Sequence, residues 1–142
     1  MLIVLALILL LVGSTVLFHL EALRTLSAWL NVLKGRPGLF AFVLMLSLLF
    51  VHLIEILLFA GGFAWIERVN GTGELVGTFS PGWRDYFYFS GVVYTTVGFG
   101  DLVPRGPLRI LTSLEALTGA LMVAWSASFT FLQMQRSWKG FD

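Results

Sequence analysis

Three apolar runs set the terms on which this chain can fold. Residues Leu2 to Leu20 read LIVLALILLLVGSTVLFHL, a second run extends from Leu39 to about Trp65, and a third from about Leu108 to Leu132. Each is close to or above the roughly 20 residues that cross a hydrocarbon layer about 30 Å thick. The rest of the chain agrees: 58% of its 142 residues are hydrophobic and 12% are charged. A soluble domain carries about 25% charged residues. The expectation is an integral membrane protein built as one compact membrane domain, with the lipid bilayer as its surroundings. A net charge of +1 without a basic stripe argues against nucleic acid as a partner. Without cysteine, disulfides, thiolate metal sites and thiol nucleophiles are excluded.

The polar stretches divide the chain. The N-terminal run lacks the basic leader and small-residue cleavage site of a signal peptide, so residues 1–33 read as an N-terminal transmembrane helix. KGRPG, residues 34–38, breaks it, and 39–65 form a second crossing helix. Residues 66–80 read as an outer loop, in which Asn70-Gly71 between two short alternating runs predicts a tight hairpin. Ser80-Pro81 reads as a helix start, a hydroxyl cap with proline at the first helical position. The segment that follows, PGWRDYFYFSGVVYT, is about 15 residues or roughly 22 Å of helix, too short to cross, so it predicts a re-entrant helix. Residues 102–107 make a second outer loop, 108–133 the last crossing helix, and 134–142 a tail. Arg24, Lys34 and Arg36, with Arg136 and Lys139, place the first loop and the tail on the cytoplasmic side, and the N-terminus outside. Trp29 and Trp138 then mark the inner interface, Trp65 and Trp83 the outer one.

Between the re-entrant helix and the last crossing helix stands Tyr94 to Asp101, YTTVGFGD. Non-helical backbone at membrane depth is tolerated only where protein buries it or where it lines a watery path. Gly98 and Gly100 permit backbone angles closed to other residues, so successive carbonyls can turn toward one axis. A ring of such carbonyls can replace the water shell of a cation.

With TTVGFGD after a short helix, DLVP behind it and an apolar helix containing Gly119 next, the chain resembles the pore-loop potassium channels. The likeness is greatest to small prokaryotic members and to the two-pore-domain group, where Gly-Phe-Gly also occurs. It covers about Ser80 to Phe131. The resemblance implies an all-α membrane protein with three transmembrane helices per chain, a re-entrant pore helix and filter in 81–101, and assembly as a homotetramer. It implies that K+, the transported ion, is held by the Thr96 hydroxyl and by the backbone carbonyls of Thr96, Val97, Gly98 and Phe99. Gly100 turns the chain outward and Asp101 sits at the outer mouth. Thr95 ends the pore helix and Val97 packs behind the filter. No organic cofactor and no soluble partner are implied. The pattern departs from its commonest form at Phe99, usually tyrosine, and at Tyr88 and Phe89, often tryptophans. Val92 stands where some prokaryotic channels carry an acid, so no carboxyl pair with Asp101 is available.

His19, His52, Glu55 and Glu115 lie in or beside the apolar runs, and ionisable groups at such depth mark function or face protein. His52 and Glu55 share a helical face. Glu55 and Glu115 fall at similar depths, roughly 14 and 10 Å below the outer ends of their helices. Two readings stand for these carboxyls: a hydrogen bond behind the filter that tunes conductance with proton occupancy, or a protonated carboxyl bonded to a backbone carbonyl. His52 with Glu55 supplies two metal ligands, too few for a closed site. His19 with Glu21 and Arg24 reads as a solvated cluster at the inner interface. Gly119 is either a gating hinge or a seat for close helix packing.

No run of arginines marks a voltage sensor. The chain ends about ten residues past the last span, so a minimal pore with an extra N-terminal helix is expected, without a ligand-binding domain behind it. No nucleophile with a base is found, so no enzyme is expected. The alternatives are a weakly selective cation channel and a non-conducting sensor or accessory subunit of pore-like fold.

Overall fold

The computed structural model describes residues 2–30, 36–69, 71–77 and 82–138. Six elements follow one another: α1 (Leu2–Trp29), α2 (Pro37–Ile66), β1 (Leu75–Gly77), α3 (Trp83–Tyr94), β2 (Leu102–Pro104) and α4 (Leu108–Trp138). α1, α2 and α4 are long and apolar enough to cross a bilayer. α3, with 12 residues or roughly 18 Å of length, is not. The protein is therefore an all-α integral membrane protein with three crossing helices and a short fourth helix.

On α1 the buried positions are Val4, Ile8, Leu11, Thr15, His19 and Leu23, a stripe at three- and four-residue spacing that faces the other helices. Leu2, Leu5, Leu9, Leu10 and Leu17 on the remaining faces are exposed, as expected of a helix whose outer surround is lipid. Two apolar clusters hold the helices together. One joins Val4, Ile8 and Leu11 of α1 to Phe59, Phe63 and Ile66 of α2, Phe89 of α3 and Leu108 of α4. Within it Phe63 meets Phe89 edge-on, with ring centroids 5.0 Å apart, a preferred aromatic geometry. The second cluster, Leu23 and Leu30 with Phe40, Leu44 and Leu48, lies at the opposite end and is touched by Phe129. The start of α1 thus packs beside the end of α2 and the start of α4, so α1 and α2 run antiparallel. Trp29 at one end and Trp65 and Trp83 at the other are exposed, where aromatic belts belong. The side chain of Trp138 and the whole of Lys139 lie outside the described residues.

Several boundaries differ from the sequence expectation. α1 ends at Trp29; of the predicted break at residues 34–38, 34 and 35 lie outside the described residues, while Pro37 and Gly38, expected as breakers, belong to α2. α2 begins at Pro37, which occupies the first helical position, where a missing N–H costs nothing. Ser80-Pro81 also lies outside the described residues, and Gly82 is the residue that precedes α3. α4 continues past residue 133 to Trp138; Gln133, Gln135 and Arg136 are good helix formers, and the Gln133 amide donates to Ser27 Oγ at 2.9 Å.

The predicted hairpin about Asn70-Gly71 is corrected. Asn70 itself is outside the described residues, and β1 pairs with β2, antiparallel, with Leu75 opposite Pro104 and Gly77 opposite Leu102. A three-residue strand finds its hydrogen bonds across the whole re-entrant segment rather than across a local turn. The ribbon therefore joins the chain entering α3 to the chain leaving Asp101.

Candidate functional site

α3 ends at Tyr94, with Thr95 as its cap residue. The chain then leaves the helix through a turn at Thr95 and Thr96 into irregular backbone, and three residues in alternation have positive φ: Thr96 at 61°, Gly98 at 57° and Gly100 at 79°. In an ordinary strand successive residues face opposite ways. Inverting every second residue removes that alternation and turns successive carbonyls toward one side. Glycine adopts these angles freely, and a Cβ added at Gly98 or Gly100 would meet no atom within 4 Å in this chain, so conformation and not space selects glycine there. A β-branched Thr96 in the same region costs about 1–2 kcal/mol. Such strain persists where the surroundings dictate it. Here Thr96 N–H donates to Val93 O at 2.9 Å, and the Val97 and Gly98 amides both donate to Val92 O, at 3.0 and 3.2 Å. The end of α3 thus folds the first three residues of the loop back onto itself.

Thr95 through Asp101 are exposed in the single chain, with Val97 at 54% and Phe99 at 70%. Its own chain covers less than half of Val97. At the far end of this loop Tyr88 donates its hydroxyl to Asp101 Oδ2 at 2.8 Å, and this bond holds the phenol above its usual range. Glu67, at the end of α2, accepts from the Leu75 amide at 2.9 Å and from the Tyr86 hydroxyl, fixing β1 and the start of α3 to α2. Burial, then this bond to Glu67, pushes the Tyr86 phenol up to about 12.

Two buried polar groups flank α3. Glu115 of α4 is fully buried, and its Oε1 lies 2.5 Å from Ser90 Oγ, which also reaches Ile56 O at 2.8 Å. Glu115 Oε2 has no hydrogen-bond partner among the described residues. Glu55 of α2, also fully buried, meets His19 Nδ1 through Oε1 at 2.8 Å and His52 Nδ1 through Oε2 at 3.0 Å, and accepts from the Tyr94 hydroxyl. His52 Nδ1 lies 3.0 Å from the same hydroxyl. Among the described residues neither carboxyl is bonded to a backbone carbonyl as one sequence reading expected; side chains of α1, α2 and α3 meet Glu55, and one of α3 meets Glu115.

His19 is the residue that sequence reasoning misplaced. It is fully buried, packed against Trp125 and His52, while Glu21 and Arg24 form their own exposed pair at 2.9 Å. The signal was present: position 19 continues the stripe through Leu11 and Thr15. Gly119 faces Tyr94 so closely that a Cβ there would overlap the Tyr94 carbonyl oxygen and come within 2.9 Å of its carbonyl carbon. Close packing is the reading of Gly119 that this contact supports.

Comparison with known proteins follows the same outline. Over 48% of this chain, 70 aligned residues are 39% identical to the inward rectifier potassium channel Kirbac3.1 of Paramagnetospirillum magnetotacticum. Over 33% of it, 48 residues are 42% identical to the uncharacterized membrane protein YdjJ of Bacillus subtilis. The chain spans 24% and 14% of those proteins' lengths. The ion channel family matches residues 38–136, from the start of α2 nearly to the end of α4. The chain accordingly belongs to the ion channel family.

Proposed function

We propose that four copies of this chain surround an axis and conduct dehydrated K+ selectively between rings of backbone carbonyls. The observation that carries this reading is the alternation of left-handed backbone at Thr96, Gly98 and Gly100 within the sequence TVGFG. Four copies of the Thr96, Val97, Gly98 and Phe99 carbonyls would replace a potassium ion's water shell, as in the filters of such channels. The exposure of Val97 and Phe99 in one chain supports assembly, because a neighbouring subunit would supply the cover their own chain lacks. α3 would direct its partially negative C-terminal end toward the cavity below the filter, favouring a cation there. Asp101, held by Tyr88, would line the outer mouth. The ribbon end of the molecule is read as extracellular, which puts the N-terminus outside and the C-terminal tail in the cytoplasm, in a plasma or inner membrane.

Ion flux from liposomes holding the purified protein tests the reading. Potassium flux that barium blocks, without sodium flux, is the expected result. Equal potassium and sodium fluxes would make the pore a weakly selective cation channel. A protein that passes neither ion at any pH, with the fold intact, would be a non-conducting subunit of pore-like shape.

A further inference from the structure

The buried cluster behind α3 holds more than a hydrogen-bond network needs. His19 of α1 and His52 and Glu55 of α2 each offer one ligand atom, and these atoms all lie within 4.8 Å of one another. We propose that the three side chains bind a divalent first-row transition ion of the zinc class. Two imidazole nitrogens and one carboxylate oxygen form a donor set that zinc accepts with a fourth position left for water or another oxygen. Around a tetrahedral zinc with bonds of about 2.0–2.1 Å, ligand atoms stand roughly 3.3 Å apart. At present His19 Nδ1 lies 2.8 Å from Glu55 Oε1 and His52 Nδ1 lies 3.0 Å from Glu55 Oε2, so the ion would enter between the rings as the carboxylate turns one oxygen toward it.

The surroundings suit the ion. A metal-bound histidine commonly donates its second nitrogen to a fixed acceptor, which sets the tautomer; His19 Nε2 lies 3.3 Å from Ser126 Oγ. With its proton there, His19 Nδ1 turns a lone pair toward Glu55. The Tyr94 hydroxyl donates to Glu55 Oε2 and orients the carboxylate, and its own oxygen is the nearest candidate for the fourth position besides water. Glu55, as a carboxylate, offsets one of the ion's two charges. An entry route exists: His52 and Ser126 both line a groove of about 490 Å³ between α2 and α4, beside Met45, Leu49, Val123 and Phe131. The site joins α1, the helix that lies outside the family match, to the residue that precedes the filter loop.

The test uses tag-free protein in detergent, dialysed against Zn2+ or Co2+ alone and assayed for bound metal. One ion per chain is expected, with the visible absorption of four-coordinate Co2+. His52→Ala, at the groove edge and 17% exposed, and His19→Gln should each weaken binding at least about tenfold, the lower limit for disturbing such a site. Should His19→Gln fail to fold, His52→Ala alone decides. No retained ion in the unaltered protein overturns the proposal, and so does binding that His52→Ala leaves unchanged. Because the readout is bound metal and not flux, the outcome is separate from that of the pore assay.

Discussion

Thr96 and Gly98 occupy neighbouring left-handed positions, and the two tolerate substitution differently. Thr96 already bears a side chain there and is held by the Val93 carbonyl. Gly98→Ala adds a Cβ to a residue at φ 57°, a cost of about 1–2 kcal/mol per chain. In a pore of four chains that cost is repeated four times on one axis, so we expect Gly98→Ala to abolish potassium flux while the helical circular dichroism signal is kept. Glu115 yields a second expectation. Ser90 has one proton and two oxygens within reach, so the second contact needs a hydrogen from residue 115. Glu115→Gln supplies one and should change stability by no more than about 1 kcal/mol, whereas Glu115→Leu leaves the buried Ser90 oxygen without a donor, with Ile56 O as its remaining contact, and should cost about 1–3 kcal/mol. Thermal unfolding in detergent would separate them; equal losses in both would show that the Ser90 bond contributes nothing.

α3 does not cross the membrane, and its position depends on what it rests against. It is held at its start by Glu67, at Ser90 by Ile56 and Glu115, and at Tyr94 by Glu55 and the open face of Gly119. Gly119→Ala would force the Tyr94 carbonyl away and shift the end of α3, for an expected loss of about 1–3 kcal/mol together with flux. Gly13→Ala is the contrast, because nothing lies within 4 Å of the added Cβ; it should be neutral or stabilising by up to about 1 kcal/mol. Comparable melting-temperature losses in the two variants would remove the special standing of Gly119. α1 has its own place in this scheme: it closes the back of α2 and α4 and carries His19 to Glu55.

For the whole molecule, three crossings put the two ends of the chain on opposite faces of the bilayer. The absence of cysteine makes single-cysteine labelling clean. Leu2→Cys should react with an impermeant maleimide added to intact cells, and Gln135→Cys only after the membrane is opened. The opposite pattern would invert the proposed orientation, and labelling of both from outside would contradict three crossings. Assembly belongs to this scale too: a mass of four chains in detergent is expected, and a monomer that still carries selective flux would contradict the carbonyl ring.

What the sequence by itself determined is whatever follows from composition, length and local conformational demand. Apolar runs longer than a bilayer's thickness had to become crossing helices, because a backbone in lipid must satisfy its own hydrogen bonds. The roughly 15 residues from Pro81 to Thr95 could not cross, and Gly98 and Gly100 announced a backbone that only glycine adopts freely. Only the tertiary structure decided the pairings between distant segments. No local rule connects His19 to Glu55, Ser90 to Glu115, Tyr88 to Asp101 or Leu75 to Pro104, since each depends on the angle and depth at which separate helices meet. His52 and Glu55 were visible as neighbours on one face because they share a helix. The third member of their cluster came from another helix, and packing alone brought it there.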